Sequence, residues 1–179
     1  MSTLSFPIIL EGNECNYKTT IAQKLSDYYG MEIVKGNSFE IAKMQSEKMA
    51  LYLLKLLYGK PVIIDRFLYS NLVYAAIYEG YSPLPDWYRH CIELTMNSKS
   101  AIVVHLNAPT HILEERLRLR GDDMITVDKL STINAKYQQV MKAAKSRNVN
   151  IFEASTEFHS SDEIVQGLTF MFDTIEYCL

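Results

Sequence analysis

The chain has 179 residues, about one domain's length and enough to bury a core without disulfide or metal staples. Its 48% hydrophobic and 22% charged residues exclude disordered, collagen-like and low-complexity classes. A net charge of −3, from 18 Lys+Arg against 21 Asp+Glu, argues against a general nucleic-acid binder, which needs a basic face.

Taken in chain order, Phe6 to Leu10 is a short apolar run that reads as a buried strand. Thr19 to Tyr29 has helical apolar spacing and stops at Gly30. Met31 to Lys35 is a weaker strand, and Phe39 to Tyr58 reads as one long helix ended by Gly59. Pro61 to Asp65 is a second clean strand, followed by a helix over Phe67 to Tyr78 and a break at Gly80, Pro83 and Pro85. Asp86 to Met96 is helical, Ala101 to Leu106 a buried strand, and Pro109 to Arg120 a helix with Pro near its first turn. After a polar break at Gly121, Asp122 and Asp123 come a long helix (Val127 to Arg147), a strand (Val149 to Glu153) and a last helix (Asp162 to Tyr177). Apolar strands alternating with helices predict an α/β fold: three layers, α/β/α, around a central parallel five-stranded sheet. No internal repeat or linker is visible, so residues 1–179 read as a single domain.

No stretch approaches the ~20 apolar residues of a membrane span, and Met1 to Leu10 lacks the features of a secretory signal. Cys15, Cys91 and Cys178 form an odd, widely spaced set, which suits a reduced cytoplasmic chain and no disulfide frame. Neither CxxC nor HxxxH occurs, so a zinc site is not expected.

Ligands of such folds bind at the carboxyl ends of the strands. The turn after the first strand reads Glu11-Gly12-Asn13-Glu14-Cys15-Asn16-Tyr17-Lys18-Thr19-Thr20. Gly12, Lys18 and Thr19 match the phosphate loop G-x-x-x-x-G-K-[ST], between a strand and a helix as that motif requires. Backbone N–H groups and the helix N-terminus would cradle phosphate, Lys18 would reach the β/γ-phosphates, and Thr19 would meet Mg²⁺. The second glycine of the motif is Tyr17 here; if that position needs a left-handed backbone, the side chain costs roughly 1–2 kcal/mol. The competing reading is a plain strand-to-helix turn with a fortuitous Lys-Thr-Thr start.

The turn after the second clean strand begins Asp65-Arg66-Phe67 and continues through Ser70, Asn71 and Tyr74. Beside a phosphate loop, the Asp can hold Mg²⁺ water or accept a proton, and the Arg can clamp a phosphate bidentately. A strand-end salt bridge is the alternative.

Together, Glu-Gly-x-x-x-x-x-Lys-Thr-Thr and Asp-Arg-Phe-x-x-Ser-Asn-x-x-Tyr resemble the thymidylate kinase family of P-loop nucleoside monophosphate kinases, and more distantly the deoxynucleoside kinases. The resemblance implies a P-loop kinase domain with a short lid around 116–127. It places Asp65 near Mg²⁺ and Arg66 near the acceptor phosphate. Ser70 and Asn71 fall by the base, and Tyr74 against the deoxyribose. Phe39-x-x-x-Lys43 resembles the family's Phe-x-x-x-Arg, with the Phe on the base and the cation on the acceptor phosphate. Leu113 to Gly121 resembles the helix into the lid, so Arg116, Arg118 and Arg120 offer a transition-state cation, Arg116 and Arg120 foremost. Tyr137 falls where a base-side tyrosine sits, and Glu153-Ala154-Ser155 resembles the adenine loop, giving Ala154 to the donor.

Departures from the family pattern are Glu14, Cys15 and Tyr17 in the first loop, Lys43 for Arg, and Asp122-Asp123-Met124 in the lid. The expected activity is phosphoryl transfer from Mg²⁺·ATP to a deoxynucleoside 5′-monophosphate, dTMP or a related pyrimidine deoxynucleotide. A phosphate acceptor is already anionic and needs no general base, which Arg66 and Lys43 favour. A nucleoside kinase would instead use Asp65 or Glu11 as base. A kinase acting on a modified base in DNA and an inactive nucleotide-binding protein complete the alternatives. The resemblance also implies a homodimer. His90, His105, His111 and His159 read as structural, and of the tyrosines from Tyr69 to Tyr88 only Tyr74 is assigned to the site.

Overall fold

The computed structural model describes residues 4–120 and 126–178. Five parallel strands, β1 (Ile8–Glu11), β2 (Ile33–Lys35), β3 (Ile63–Asp65), β4 (Ile102–Asn107) and β5 (Ile151–Ser155), form one sheet in the order β2-β3-β1-β4-β5. The strands are short and apolar because both faces of the sheet are covered: β1 is buried throughout, and β4 at all but its last residue. The expected three-layer α/β/α fold with a parallel five-stranded sheet is therefore present.

One face carries α1 (Lys18–Tyr29) and α8 (Ser161–Cys178). Ile21, Leu25 and Tyr29 meet Leu168 and Phe172 over Ile8, Leu10 and Val104. The opposite face carries α3 (Ser46–Tyr58), α4 (Leu68–Ala75), α5 (Asp86–Ser98) and α7 (Val127–Ser146), packed on Ile9, Ile64 and Val103. Helix α6 (Thr110–Arg120) joins α7 through Leu113, Leu117 and Leu130. The strand order reverses at β1, with β3 on one side and β4 on the other, which places the ligand crevice beyond the carboxyl end of β1.

The long helix expected over Phe39 to Tyr58 is two helices, the four-residue α2 (Phe39–Ala42) and α3. No Gly or Pro interrupts this stretch; the tertiary structure does. The Ala42 carbonyl, which would serve Ser46 N–H in a continuous helix, accepts Ser82 N–H at 2.7 Å instead. The Ser46 hydroxyl then donates to Pro83 O at 2.9 Å. The helix expected to reach Tyr78 ends at Ala75, and Tyr78 follows in a turn. β1, β3 and β5 each begin two residues later than the apolar runs suggest. Of the expected lid, residues 121–125 (Gly121, Asp122, Asp123, Met124 and Ile125) lie outside the described residues. Among the described residues, no helix is long and apolar enough to cross a membrane.

Candidate active site

A cleft of about 820 Å³ opens at the carboxyl end of β1. Residues Glu14 through Thr20, Asp65, Arg66, Arg116 and Arg120 line it, together with Leu119. Five non-glycine residues have positive φ among the described residues, and three of them, Cys15 (φ 60°), Tyr17 (φ 58°) and Arg66 (φ 62°), line this cleft. Such backbone persists only where the surroundings enforce it, and it clusters at ligand sites.

The loop starts at Gly12, whose φ of 143° and close approach to Leu106 O, 2.2 Å from any added Cβ, admit no other residue. Asn13 is buried and anchors the loop: its Nδ2 donates to Leu130 O on α7 at 2.9 Å, and its Oδ1 accepts Glu14 N–H at 2.8 Å. Tyr17 adopts the left-handed conformation of the missing glycine and caps α1. The strain, roughly 1–2 kcal/mol, is partly offset by Arg116, whose guanidinium lies 4.4 Å from the Tyr17 ring centroid.

Arg116 binds three parts of the site together. It donates to Cys15 O (3.2 Å) and to the hydroxyl (2.9 Å) and carbonyl of Thr156, which follows β5. The Thr156 hydroxyl in turn donates to Asn16 Oδ1 at 2.7 Å. Arg120, one turn further along α6, hydrogen-bonds the Cys15 side chain and lies within electrostatic reach of Glu14. Ala154 does not line the cleft: it sits inside β5, in the core beneath α8, because that strand runs to Ser155. Thr156, which no motif pointed to, is the residue of this turn that touches the loop.

The Lys18 side chain is buried against the loop and donates to Asn13 O at 2.5 Å. Burial, aided by the neighbouring Arg66 charge, brings its ammonium down to about 7. Thr19 stands exposed on the first turn of α1, at the mouth of the cleft. Asp65, at the end of β3, has a buried Oδ1 with no hydrogen-bond partner among the described residues. A hydroxyl and an unpartnered carboxylate oxygen are hard donors of the kind Mg²⁺ takes, with phosphates and waters completing its shell.

Glu11 is fully buried, and both carboxylate oxygens are engaged. Oε1 accepts the N–H groups of Phe67 (3.0 Å), Tyr69 (3.0 Å) and Ser70 (3.1 Å), and Oε2 accepts the Ser70 hydroxyl at 2.5 Å. It caps α4, whose own N-cap residue Phe67 offers no side-chain acceptor. Gly36, after β2, lets the Arg66 turn pass: an added Cβ would fall 2.3 Å from Arg66 O.

Arg66 lies at the centre of the cleft's far side. Nη2 pairs with Glu14 Oε1, and Nη1 donates to the hydroxyls of Tyr74 (2.8 Å) and Tyr137 (3.4 Å). Tyr137 is buried, shares a hydrogen bond with Ser70 at 2.8 Å, and stacks on His105 at 6.0 Å between ring centroids. A continuous network thus runs from Glu11 through Ser70, Tyr137, Arg66 and Tyr74 to Glu14. Burial would raise the Glu14 carboxyl, but Arg66 and Lys18 outweigh it and hold it below its ordinary value.

Beyond Arg66, outside the residues that line the cleft, lies an aromatic cluster. Tyr74, Tyr78 and Tyr81 pack with centroids 5.7–6.3 Å apart, and Phe39 meets Tyr81 edge-on at 6.1 Å. Lys43 lies over the Phe39 ring, its Nζ 3.7 Å from the centroid. Asn71 donates to Ser82 O at 3.2 Å, leaving its buried Oδ1 without a partner among the described residues. Tyr78 and Tyr81 were not singled out from the sequence; their spacing from Tyr74 is the only signal, and helix cores show the same spacing.

No family model matches the chain. Over 164 residues it is 41% identical to the SPbeta prophage-derived protein YorR of Bacillus subtilis (strain 168), an alignment spanning 92% of this chain and 97% of that one. The crystal structure of YorR in complex with phosphorylated GDP superposes with a TM-score of 0.88 at 39% identity, covering 95% and 97% of the two chains. A deoxyadenosine kinase from M. mycoides, with products dCMP and dCDP bound, is 21% identical with a TM-score of 0.62, covering 94% and 99%. Thymidylate kinase from Candida albicans is 17% identical with a TM-score of 0.59, covering 97% and 93%. These last two share the fold.

Proposed function

The chain belongs to the family of the prophage-derived protein YorR and has the P-loop kinase fold, and on that premise we propose that it transfers the γ-phosphoryl group of Mg²⁺·ATP to a deoxynucleoside 5′-monophosphate, dTMP or a related pyrimidine deoxynucleotide. The observation that carries this reading is the position of Arg66, a largely shielded guanidinium between the phosphate loop and the aromatic cluster.

In this reading the amides of the Gly12–Lys18 loop and the N-terminus of α1 hold the donor phosphates. Lys18 exchanges Asn13 O for a β/γ-phosphate oxygen and regains a full charge. Thr19 and Asp65 would hold Mg²⁺, which when bound would supply charge neutralisation for the donor phosphates. Arg116 keeps the loop and the turn after β5 in register, and Arg120, beside Cys15, supplies a cation to the transferring group. Arg66 orients the acceptor phosphate, with Lys43 at the rim. The base lies among Phe39, Tyr81, Ser70 and Asn71, and Tyr74 backs the sugar. Catalysis here is positioning plus charge stabilisation; an acceptor phosphate needs no base. Glu11, committed to α4, offers none.

A second reading is favoured by one contact. Glu14 already pairs with Arg66, and its carboxylate faces the acceptor side, where it can take the proton of a nucleoside 5′-hydroxyl. The test is a phosphoryl-transfer panel. Purified protein with Mg²⁺ and either ATP or GTP meets each deoxynucleoside, each 5′-monophosphate including 5-substituted pyrimidines, and duplex DNA. GTP is included because YorR was crystallised with a phosphorylated GDP. Turnover confined to monophosphates is the expected result; turnover on nucleosides or on DNA alone overturns it.

A further inference from the structure

Glu14 is the only acidic side chain that the loop over Gly12–Lys18 sends into the cleft, and it points at a cation rather than at solvent. Its backbone is fixed from below: Asn13 Oδ1 holds the Glu14 N–H, and Asn13 Nδ2 is itself held by Leu130 O. The carboxylate then spans the cleft to Arg66 Nη2 and accepts the Tyr74 hydroxyl at 3.3 Å. The pair is largely shielded, with side-chain exposures of 26% for Glu14 and 16% for Arg66. The other terminal nitrogen, Nη1, faces the two phenols of Tyr74 and Tyr137.

A guanidinium presents its donors in a fixed planar fork. Phenol oxygens on Nη1 are neutral, and they leave Nη2 as the outward donor. An acceptor phosphate that takes Arg66 in a two-pronged contact therefore requires the same Nη2 that Glu14 holds. Nη2 has two hydrogens and Glu14 holds one of them; a phosphate on the other lies beside the carboxylate, and the like charges repel, so the two anions oppose each other at this nitrogen.

We propose that the Glu14 carboxylate is an intramolecular competitor for the acceptor's seat on Arg66, displaced only by a dianionic 5′-phosphate, so that Glu14 sets the enzyme's discrimination between phosphorylated acceptors and weaker or smaller anions. This rests on the monophosphate reading above. A phosphate with two charges and three oxygens outbids a carboxylate with one charge and two oxygens. A neutral nucleoside leaves the ion pair closed. A small anion without a base and sugar lacks the aromatic contacts that add to its affinity. The glutamate thus costs the true substrate some affinity and excludes lesser ligands, which is specificity by opposition.

The test compares wild type with Glu14→Gln, which keeps the shape and removes the charge. In the variant, the KM of the accepted monophosphate falls by about fivefold, a larger change than that in kcat. Inorganic phosphate becomes an inhibitor competitive with the acceptor at concentrations that leave wild type unaffected. Direct titration of the monophosphate into each protein gives the same ratio without turnover. An unchanged or raised acceptor KM and dissociation constant in Glu14→Gln overturns the proposal while wild-type monophosphate turnover stands. Wild-type turnover on nucleosides alone, with loss of kcat in Glu14→Gln, overturns both the proposal and the reading beneath it, and makes Glu14 the base.

Discussion

On the donor side of the cleft, polar groups are tied to backbone. Asn13 is held by Leu130 O, Lys18 by Asn13 O, and Arg116 by Cys15 O and Thr156 O. Past Arg66, on the side proposed for the acceptor, Phe39, Tyr74, Tyr78 and Tyr81 form a cluster that touches through faces and edges, and few hydrogen bonds fix it. Backbone-anchored groups hold positions to a fraction of an ångström, which suits a triphosphate common to many kinases. Ring contacts are individually weak and shift with a change of side-chain torsion, which suits an acceptor that differs between relatives. Under the proposed function, the phosphate chemistry would be fixed on one side and substrate identity decided on the other, with Glu14 and Arg66 as the joint.

The largest expected effect tests the donor side. Lys18→Ala lowers phosphoryl transfer by about 10²–10³-fold or more, with the melting temperature preserved, since Lys18 gives the core a single hydrogen bond. Activity within tenfold of wild type refutes the donor assignment. Arg66→Ala tests the joint: acceptor KM rises and kcat falls together, each by about tenfold, while donor KM moves less. An unchanged acceptor response removes Arg66 from the site.

Beneath the acceptor side, His105 supplies a pH dependence. It is buried, stacked on Tyr137, and burial lowers its pKa from 6.5 to about 4 against the smaller opposing pull of Glu153. The unfolded chain binds a proton from about pH 6.5 downward and the folded chain only near 4. Stability is thus full above pH 6.5 and lost as pH falls toward 4, by about 3 kcal/mol over the window. His105→Gln flattens that stretch of the curve in urea unfolding at stepped pH; an unflattened slope assigns it to other groups. The smallest effect belongs to Tyr17→Gly. Relief of left-handed strain and loss of the Arg116 contact nearly cancel, so stability changes by less than about 1 kcal/mol and transfer is equal or faster. A folded variant without activity gives Tyr17 a part in the chemistry.

Much of the donor side was legible. Gly12, Lys18 and Thr19 are read from spacing because a loop that wraps phosphate needs those residue types in that order. The left-handed Tyr17 follows from the glycine it replaces. On the acceptor side, Asp65 and Arg66 were legible as a pair at a strand end, and their partners were not. Glu11 looked like a site carboxylate, yet it caps α4, because a buried helix N-terminus must find acceptors and Phe67 provides none. Arg116 looked like a lid arginine, yet its donors go to loop carbonyls and Thr156.

The sequence by itself determined the sheet, its parallel strands and the phosphate loop, since these rest on periodicity and on glycine and lysine at fixed offsets. Tertiary structure decided what those signals cannot carry. The break in the helix after Ala42 was set by Ser82 arriving from elsewhere in the chain. The grouping of Tyr78 and Tyr81 with Phe39 was set by the turn that ends α4. The pairing of Glu14 with Arg66 joins residues 52 positions apart. Each depends on a meeting between distant segments, which local propensity does not encode.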